Sequence, residues 1–312
     1  MQNIHEPSDS LSPRDFAAAL GVSESSVKRW VDDGKIRALR TPGGHRRIAV
    51  SEAIRFVRAT TAPLPRADLL GLRELRGRSV AAASDLGALS AAFHRALIDG
   101  RALEARALIV QAFIAGASLS EVCDGPVRAA LTRIGDLWHY DQAGVFVEHR
   151  ATAIVVEVLS LLRTLTVVEE GAPRAVGCAP AGDPYVIPTL AVATVLADEG
   201  FDVTNLGPET PMLSLSLAIE RVRPTLVWIS SSTAAGADAV SAGVESVLLA
   251  AQGVGAAMAV GGRCFEGGSH RLPTGIFQCR MTAELAAFAR GLQTAAVSLD
   301  APQGAGGNGA DG

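Results

Sequence analysis

Hydrophobic and polar positions change period several times along this chain, and each change marks a new element. Phe16, Ala19 and Leu20 share one helical face, and Val27, Trp30 and Val31 share a second. Ser12 ahead of Pro13, with Asp15 in the first turn, predicts a helix start, and the helix runs to about Leu20. Gly21-Val22 reads as a tight turn, after which Ser23 caps a second helix to about Asp33. Gly34–Arg40 then reads as a strand, Thr41-Pro42-Gly43-Gly44 as a turn and His45–Ile48 as the returning strand. Pro63 and Pro65 break this pattern and predict an extended connector, with a boundary near Ala62.

Helical spacing returns over Ala83–Asp99, Arg101–Ala115, a third segment from Ser118 or Ser120 past Pro126 to about His139, and Val145–Leu165. Helices on short connections predict an up-and-down four-helix bundle. Farther on, short β runs at 174–178, 201–206, 226–230 and 256–260 alternate with helices at 184–199, 211–222, 235–251 and 281–293. That alternation predicts a doubly wound parallel sheet, with any ligand at the carboxyl ends of the strands. The expected organisation is multidomain: a winged helix-turn-helix (1–59), a linker (60–79), an all-α four-helix bundle (80–168), a flavodoxin-like α/β domain (172–299) and a flexible tail (300–312).

Composition agrees with folded cores. The 312 residues are 48% hydrophobic and 19% charged, which excludes a disordered chain. Net charge is −4, yet Lys28–Arg58 holds nine basic and three acidic residues. Such a stripe is the electrostatic footprint of a polyanion such as double-stranded DNA. Cys123, Cys178, Cys264 and Cys279 have neither C-x-x-C nor zinc spacing and read as reduced thiols. A polar N-terminus without a leader, and no apolar run long enough to span a bilayer, predict a cytoplasmic protein that does not engage a membrane.

Three groups of residues carry candidate chemistry. On the second helix, Ser25, Ser26, Lys28 and Arg29 lie opposite its apolar face, and Arg40, Arg46 and Arg47 flank the glycine tip of the hairpin. Glycines let a backbone approach phosphates, and arginines bind them. Ser23–Arg47, ending in R-T-P-G-G-H-R-R, resembles the winged-helix domain of the MerR family. The resemblance implies that Ser25, Ser26, Lys28 and Arg29 face the major groove, and Arg40, Gly43, His45 and Arg46 the phosphates. His45 also reads as a packing residue of the hairpin. Readers of this kind work as dimers or higher oligomers.

The second group is Trp138, with Glu148-His149 ten positions on. Singly, these read as a core indole and as polar residues of a helix first turn. Together they match W-x9-E-H, a pattern that resembles the bundle above the corrin ring in CarH-type cobalamin-dependent light-sensing repressors. The resemblance implies that Trp138 packs over the upper axial group of adenosylcobalamin and that Glu148 contacts it. It makes His149 the candidate metal ligand, to cobalt or, in the alternative below, to iron; His139 follows Trp138 as in that family.

The third group lies in the α/β segment, whose order resembles the cobalamin-binding domain of methionine synthase and methylmalonyl-CoA mutase. Ser230-Ser231-Ser232-Thr233 and Gly261-Gly262 stand where that family lines its cofactor groove. Its D-x-H-x-x-G motif is altered to Asp183-Pro184-Tyr185-Val186-Ile187-Pro188, so Tyr185 replaces the lower-ligand histidine and Pro188 the glycine. A phenol with a pKa near 10 is a poor cobalt ligand next to imidazole. Three readings stay open: cobalamin without a histidine below, another tetrapyrrole such as haem or biliverdin, or no cofactor. The resemblance implies a DNA-binding transcriptional repressor, a dimer or tetramer, whose ligand sets how protomers pack on an operator. The rivals are the same regulator with a different or absent cofactor and a corrinoid-dependent enzyme; the fused DNA reader argues against the enzyme.

Overall fold

The computed structural model describes residues 10–80, 85–136, 142–265 and 272–300. At the N-terminus the local signals act as their chemistry dictates. In α1 (Pro13–Leu20) the Ser12 hydroxyl accepts the Asp15 amide, Pro13 sits in the first turn, and Gly21 closes the helix at φ 70°. Ser23 accepts the Ser26 amide to start α2 (Glu24–Asp32). A small antiparallel sheet follows, in the order β1 (Ser10–Leu11), β3 (Arg46–Ala49), β2 (Leu39–Arg40). The strand expected over 34–40 is only Leu39–Arg40. The amides of Lys35 and Ile36 both donate to the Trp30 carbonyl, so this stretch satisfies the end of α2 instead of a ladder. Helix α3 (Val50–Thr60) completes the unit, with Trp30 packed 4.9 Å from Phe56.

The connector is not extended. It forms two 3₁₀ turns, Ala67–Leu70 and Arg73–Leu75, and it buries Leu64, Leu70 and Leu75. Three buried leucines contribute roughly 1.5–3 kcal/mol each, enough to hold the strap against its neighbours.

The bundle consists of α4 (Leu86–Ile98), α5 (Ala102–Ile114), a broken third helix and α8 (Gln142–Leu165). The third helix is α6 (Leu119–Val122), a π turn (Cys123–Val127) and α7 (Arg128–Gly135). Pro126 sits inside the π turn, where its missing N–H and its ring forbid a regular ladder. The core is continuous across the first two parts and into the third: residues of the winged helix, the strap and the bundle join Leu190, Ala191 and Val195 in one cluster.

The last part is a five-stranded parallel sheet of β4 (Arg174–Cys178), β5 (Asp202–Asn205), β6 (Leu226–Ser230), β7 (Ala257–Gly261) and β8 (Ile276–Cys279), ordered β5-β4-β6-β7-β8. Helices α9 (Val186–Asp198) and α12 (Thr282–Asp300) cover the Trp228 face; α10 (Met212–Val222) and α11 (Ala234–Gly253) cover the other. Strand β8 was not anticipated: four residues at a sheet edge carry too little periodicity to stand out. Helix α12 runs on past Gln293, and the expected tail falls almost wholly outside the described residues. The order reverses between β4 and β6, which is where ligands enter sheets of this kind.

Candidate functional site

A cleft of about 1100 Å³ opens above that switch point. One wall is the bundle, supplied by the π turn, α7 and the start of α8; the other is the start of α9 with the loop before it, the carboxyl ends of β6, β7 and β8, and the start of α12. It gathers residues far apart in sequence: Glu148 and His149 above, and Tyr185, Ser230, Gly261 and Gly262 below. Trp138 and His139 lie outside the described residues.

On the upper wall, Glu148 is pinned. Its Oε1 accepts the Thr152 hydroxyl at 3.0 Å, and its Oε2 lies 3.5 Å from His149 Nε2. The His149 side chain is 76% exposed, so its imidazole is open to a ligand in the cleft. Asp124 and Arg128, which sequence reasoning missed, fasten the two walls together. The Asp124 carboxylate accepts the Thr282 and Ala283 amides, each at 2.9 Å, and so caps α12 from another part of the chain. Arg128 donates to the Arg280 carbonyl at 3.3 Å. Nothing local in Cys123-Asp124-Gly125-Pro126 announces a cap for a helix 158 residues away.

The lower wall departs from expectation in detail. Asp183 is buried and spends both oxygens on the backbone: one accepts the Tyr185 amide at 3.1 Å, the other the Ser232 amide. It braces the β4 loop against the β6 loop and does not line the cleft. Tyr185 does, at the start of α9 and 47% exposed, with Pro188 beside it. Ser231 lies behind the surface, its hydroxyl buried without a hydrogen-bond partner among the described residues. Gly261 and Gly262 line the cleft, but close packing explains why they are glycines. A Cβ on Gly262, at φ +103°, would meet the Ser231 carbonyl oxygen at 2.2 Å, and one on Gly261 the Cys279 carbonyl oxygen at 2.9 Å.

The donor set fits a large flat ring on one side. The bundle wall offers an exposed imidazole with a carboxylate beside it, and the sheet wall offers Tyr185 and the Ser230 hydroxyl. Cys123 and Cys279 also line the cleft, but burial pushes the Cys123 thiol far up and the Cys279 thiol to about 11, so neither supplies a thiolate at neutral pH. Among the described residues no group of three or more His, Cys, Asp or Glu gathers into a metal site.

The second candidate surface is the face of α2 and the wing. Arg29, Arg40, Gly43 and His45 are exposed there. Lys28 pairs with Glu24 at 2.8 Å on the surface. The hydroxyls of Ser25 and Ser26 lie 2.8 and 2.9 Å from that of Ser23, within the cap of α2. Arg46 bridges to Asp32 at 2.6 Å, fixing the wing to the end of α2. The wing tip is a hydrogen-bonded turn, with the Gly44 amide on the Thr41 carbonyl at 2.8 Å and Gly44 at φ +78°.

Comparison with known proteins places names on both regions. Residues 10–60 match the helix-turn-helix domain family, and residues 89–163 match the B12 binding domain family. No curated protein matches the chain. Among solved structures, the monomethylamine corrinoid protein of Methanosarcina barkeri aligns at 14% identity over 67% of this chain and 100% of that one, with TM-score 0.53. A cobalamin-binding protein from Desulfitobacterium hafniense aligns at 16% identity over 67% and 98% of the two chains, TM-score 0.32. The methanol:cobalamin methyltransferase complex MtaBC of Methanosarcina barkeri aligns at 15% over 88% and 93%, TM-score 0.33. The first of these likenesses is one of fold. The chain is therefore multidomain, with an N-terminal helix-turn-helix, a helical B12-binding region and a parallel-sheet domain of the kind found in corrinoid proteins. No helix among the described residues is long and apolar enough to cross a membrane.

Proposed function

We propose that this protein is a DNA-binding transcriptional regulator whose operator affinity is set by a corrinoid held in the cleft between the bundle and the sheet. One observation carries the reading: the structure brings Glu148 and His149 of the B12-binding helices opposite Tyr185, Ser230 and Gly261 of the sheet, in a chain that opens with a helix-turn-helix. Cobalamin, when bound, would supply a light-absorbing ring and a cobalt centre able to take a further ligand. His149 would approach the ring from the bundle side, Glu148 would hold polar groups of the upper substituent, and Tyr185 would lie beneath without the basicity of a histidine. The finer reading follows the W-x9-E-H pattern: adenosylcobalamin as the ligand, light as the signal, repression as the outcome, and a dimer or tetramer as the operator-bound form. Regulation is favoured over catalysis because the winged helix and the bundle share one hydrophobic core, so a change in the cleft reaches the DNA reader through packed side chains.

The test is the absorption spectrum, sedimentation size and duplex affinity of the full chain with adenosylcobalamin, in darkness and after illumination. A bound corrin whose spectrum, oligomer size and duplex affinity change together supports the reading. Haem and biliverdin run in parallel, and binding of either in place of cobalamin reassigns the ligand. Duplex affinity indifferent to all three refutes ligand control.

A further inference from the structure

We propose that Arg58 is the positioning residue through which the cleft sets the docking of the DNA-reading unit. The inference rests on the regulatory reading above and goes beyond it by naming the contact that transmits the signal.

Arg58 lies in the last turn of α3, the final helix of the winged unit. Its side chain is only 20% exposed, and every polar contact it makes is to another part of the molecule. The guanidinium carbon sits 3.9 Å from the centroid of the Phe113 ring. Nη1 donates to the Phe113 carbonyl, which also accepts the Gly116 amide at the end of α5, and, at 2.8 Å, to the Ala117 carbonyl just beyond that helix. Nη2 stands 3.6 Å from Asp198 Oδ1 at the end of α9. The other oxygen of Asp198 accepts the Leu119 amide, the first of α6, at 3.0 Å. One guanidinium thus ties together the winged helix, the end of α5, the end of α9 and, through Asp198, the start of α6.

Two of those helices lead directly to the cleft. Helix α9 begins beside Tyr185, contributes Ile187, Pro188 and Ala191 to the lining, and ends at Asp198. At about 1.5 Å per residue, its 13 residues carry a displacement roughly 20 Å. Helix α6 runs through the π turn, whose Cys123, Asp124 and Val127 line the other wall. Widening or narrowing the cleft moves α6–α7 against α9, and their far ends meet at Arg58 and Asp198.

Burial lowers the Arg58 pKa against the pull of Asp198 and Glu121, the mark of a charge taken out of water. Such a charge tolerates loss of its partners badly. When α9 and α6 shift, Arg58 keeps its fork only if α3 follows, and the winged unit moves with it. Among the described residues the Arg37–Glu169 pair also joins this unit to a later segment, but it is exposed on both sides and contributes little.

The experiment uses the full chain and two variants. Arg58→Ala removes the fork. Asp198→Asn keeps an acceptor for the Leu119 amide while losing the charge, and it decides the matter if Arg58→Ala fails to fold. Hydrogen exchange without ligand comes first: both variants are expected to raise exchange across residues 55–64 at least tenfold, and exchange within twofold of wild type overturns the proposal. The second readout is the ratio of duplex affinities with and without adenosylcobalamin, on a duplex selected from a random library by the wild-type protein. The ratio is expected to fall to within twofold of one in both variants, while cobalamin affinity, read from the spectrum, stays within threefold. A bare structural brace would move stability and leave the ratio intact. A wild-type ratio above tenfold that Arg58→Ala preserves overturns the coupling role alone. A wild-type ratio of one overturns control by adenosylcobalamin and the coupling role with it.

Discussion

Replacing Asp124 with alanine tests how the two walls of the cleft are held together. The carboxylate accepts the amides of Thr282 and Ala283, each at 2.9 Å, so one side chain of the bundle caps α12 of the sheet domain. An N-cap is worth about 0.5–2 kcal/mol, and a negative charge at a helix N-terminus adds about 0.3–1. The site is half-buried, so water recovers part of the loss, and about 2 kcal/mol is the expected cost at α12. That is roughly a thirtyfold rise in local opening. Hydrogen exchange of the 281–290 peptide measures it, and Asp124→Asn, which keeps one acceptor, should fall between wild type and alanine. Cobalamin affinity should weaken in the same order, because the cap fixes the π turn of one wall against the start of α12 in the other. Exchange at 281–290 within twofold of wild type in Asp124→Ala would refute the argument, since it would mean that α12 holds its place without the cap.

Arg40→Ala should weaken duplex binding at all sequences and lower the salt slope by about one, and Arg46→Ala should cost more, because it also frees the wing from Asp32; fluorescence anisotropy at several salt concentrations reads both. Tyr185→His should tighten corrin binding and shift the visible spectrum, and an unchanged affinity would put the obstacle at Pro188. Gly262→Ala should leave the chain largely insoluble or with a broken sheet domain by circular dichroism, because a Cβ there lands 2.2 Å from the Ser231 carbonyl oxygen. Burial raises the thiols of Cys178 to about 12 and of Cys279 to about 11, against an unfolded value near 9. The unfolded chain therefore releases those protons first; their contribution to stability is whole below pH 9 and is lost as pH rises through 11 and 12. Urea midpoints should fall between pH 8 and pH 10.5, and a thiol reagent at pH 8 should label only half-buried Cys264 before unfolding.

Much of the architecture was legible because its causes are local. Ser12-Pro13 and Ser23 start helices where their caps act, Gly21 ends one, and the wing turn Thr41–Gly44 folds on its own hydrogen bonds. Four of the five parallel strands announced themselves as β runs between helices, and their carboxyl ends already marked where a ligand would sit. What the residues alone did not reveal rests on pairs far apart in the chain. The connector is a strap because Leu64, Leu70 and Leu75 find apolar surface on other elements, which two prolines cannot foretell. Asp183 is a brace because its second oxygen meets an amide 49 residues on. Gly261 and Gly262 are small to let neighbouring strand ends approach, a need invisible without the sheet order. Asp124 and Asp198 each accept the opening amide of a helix, 158 and 79 residues away. Periodicity and capping report the neighbourhood within a few positions, so they determined the elements. The cleft, its fastening and its link to Arg58 were decided only when packing brought distant charges and amides within hydrogen-bonding reach.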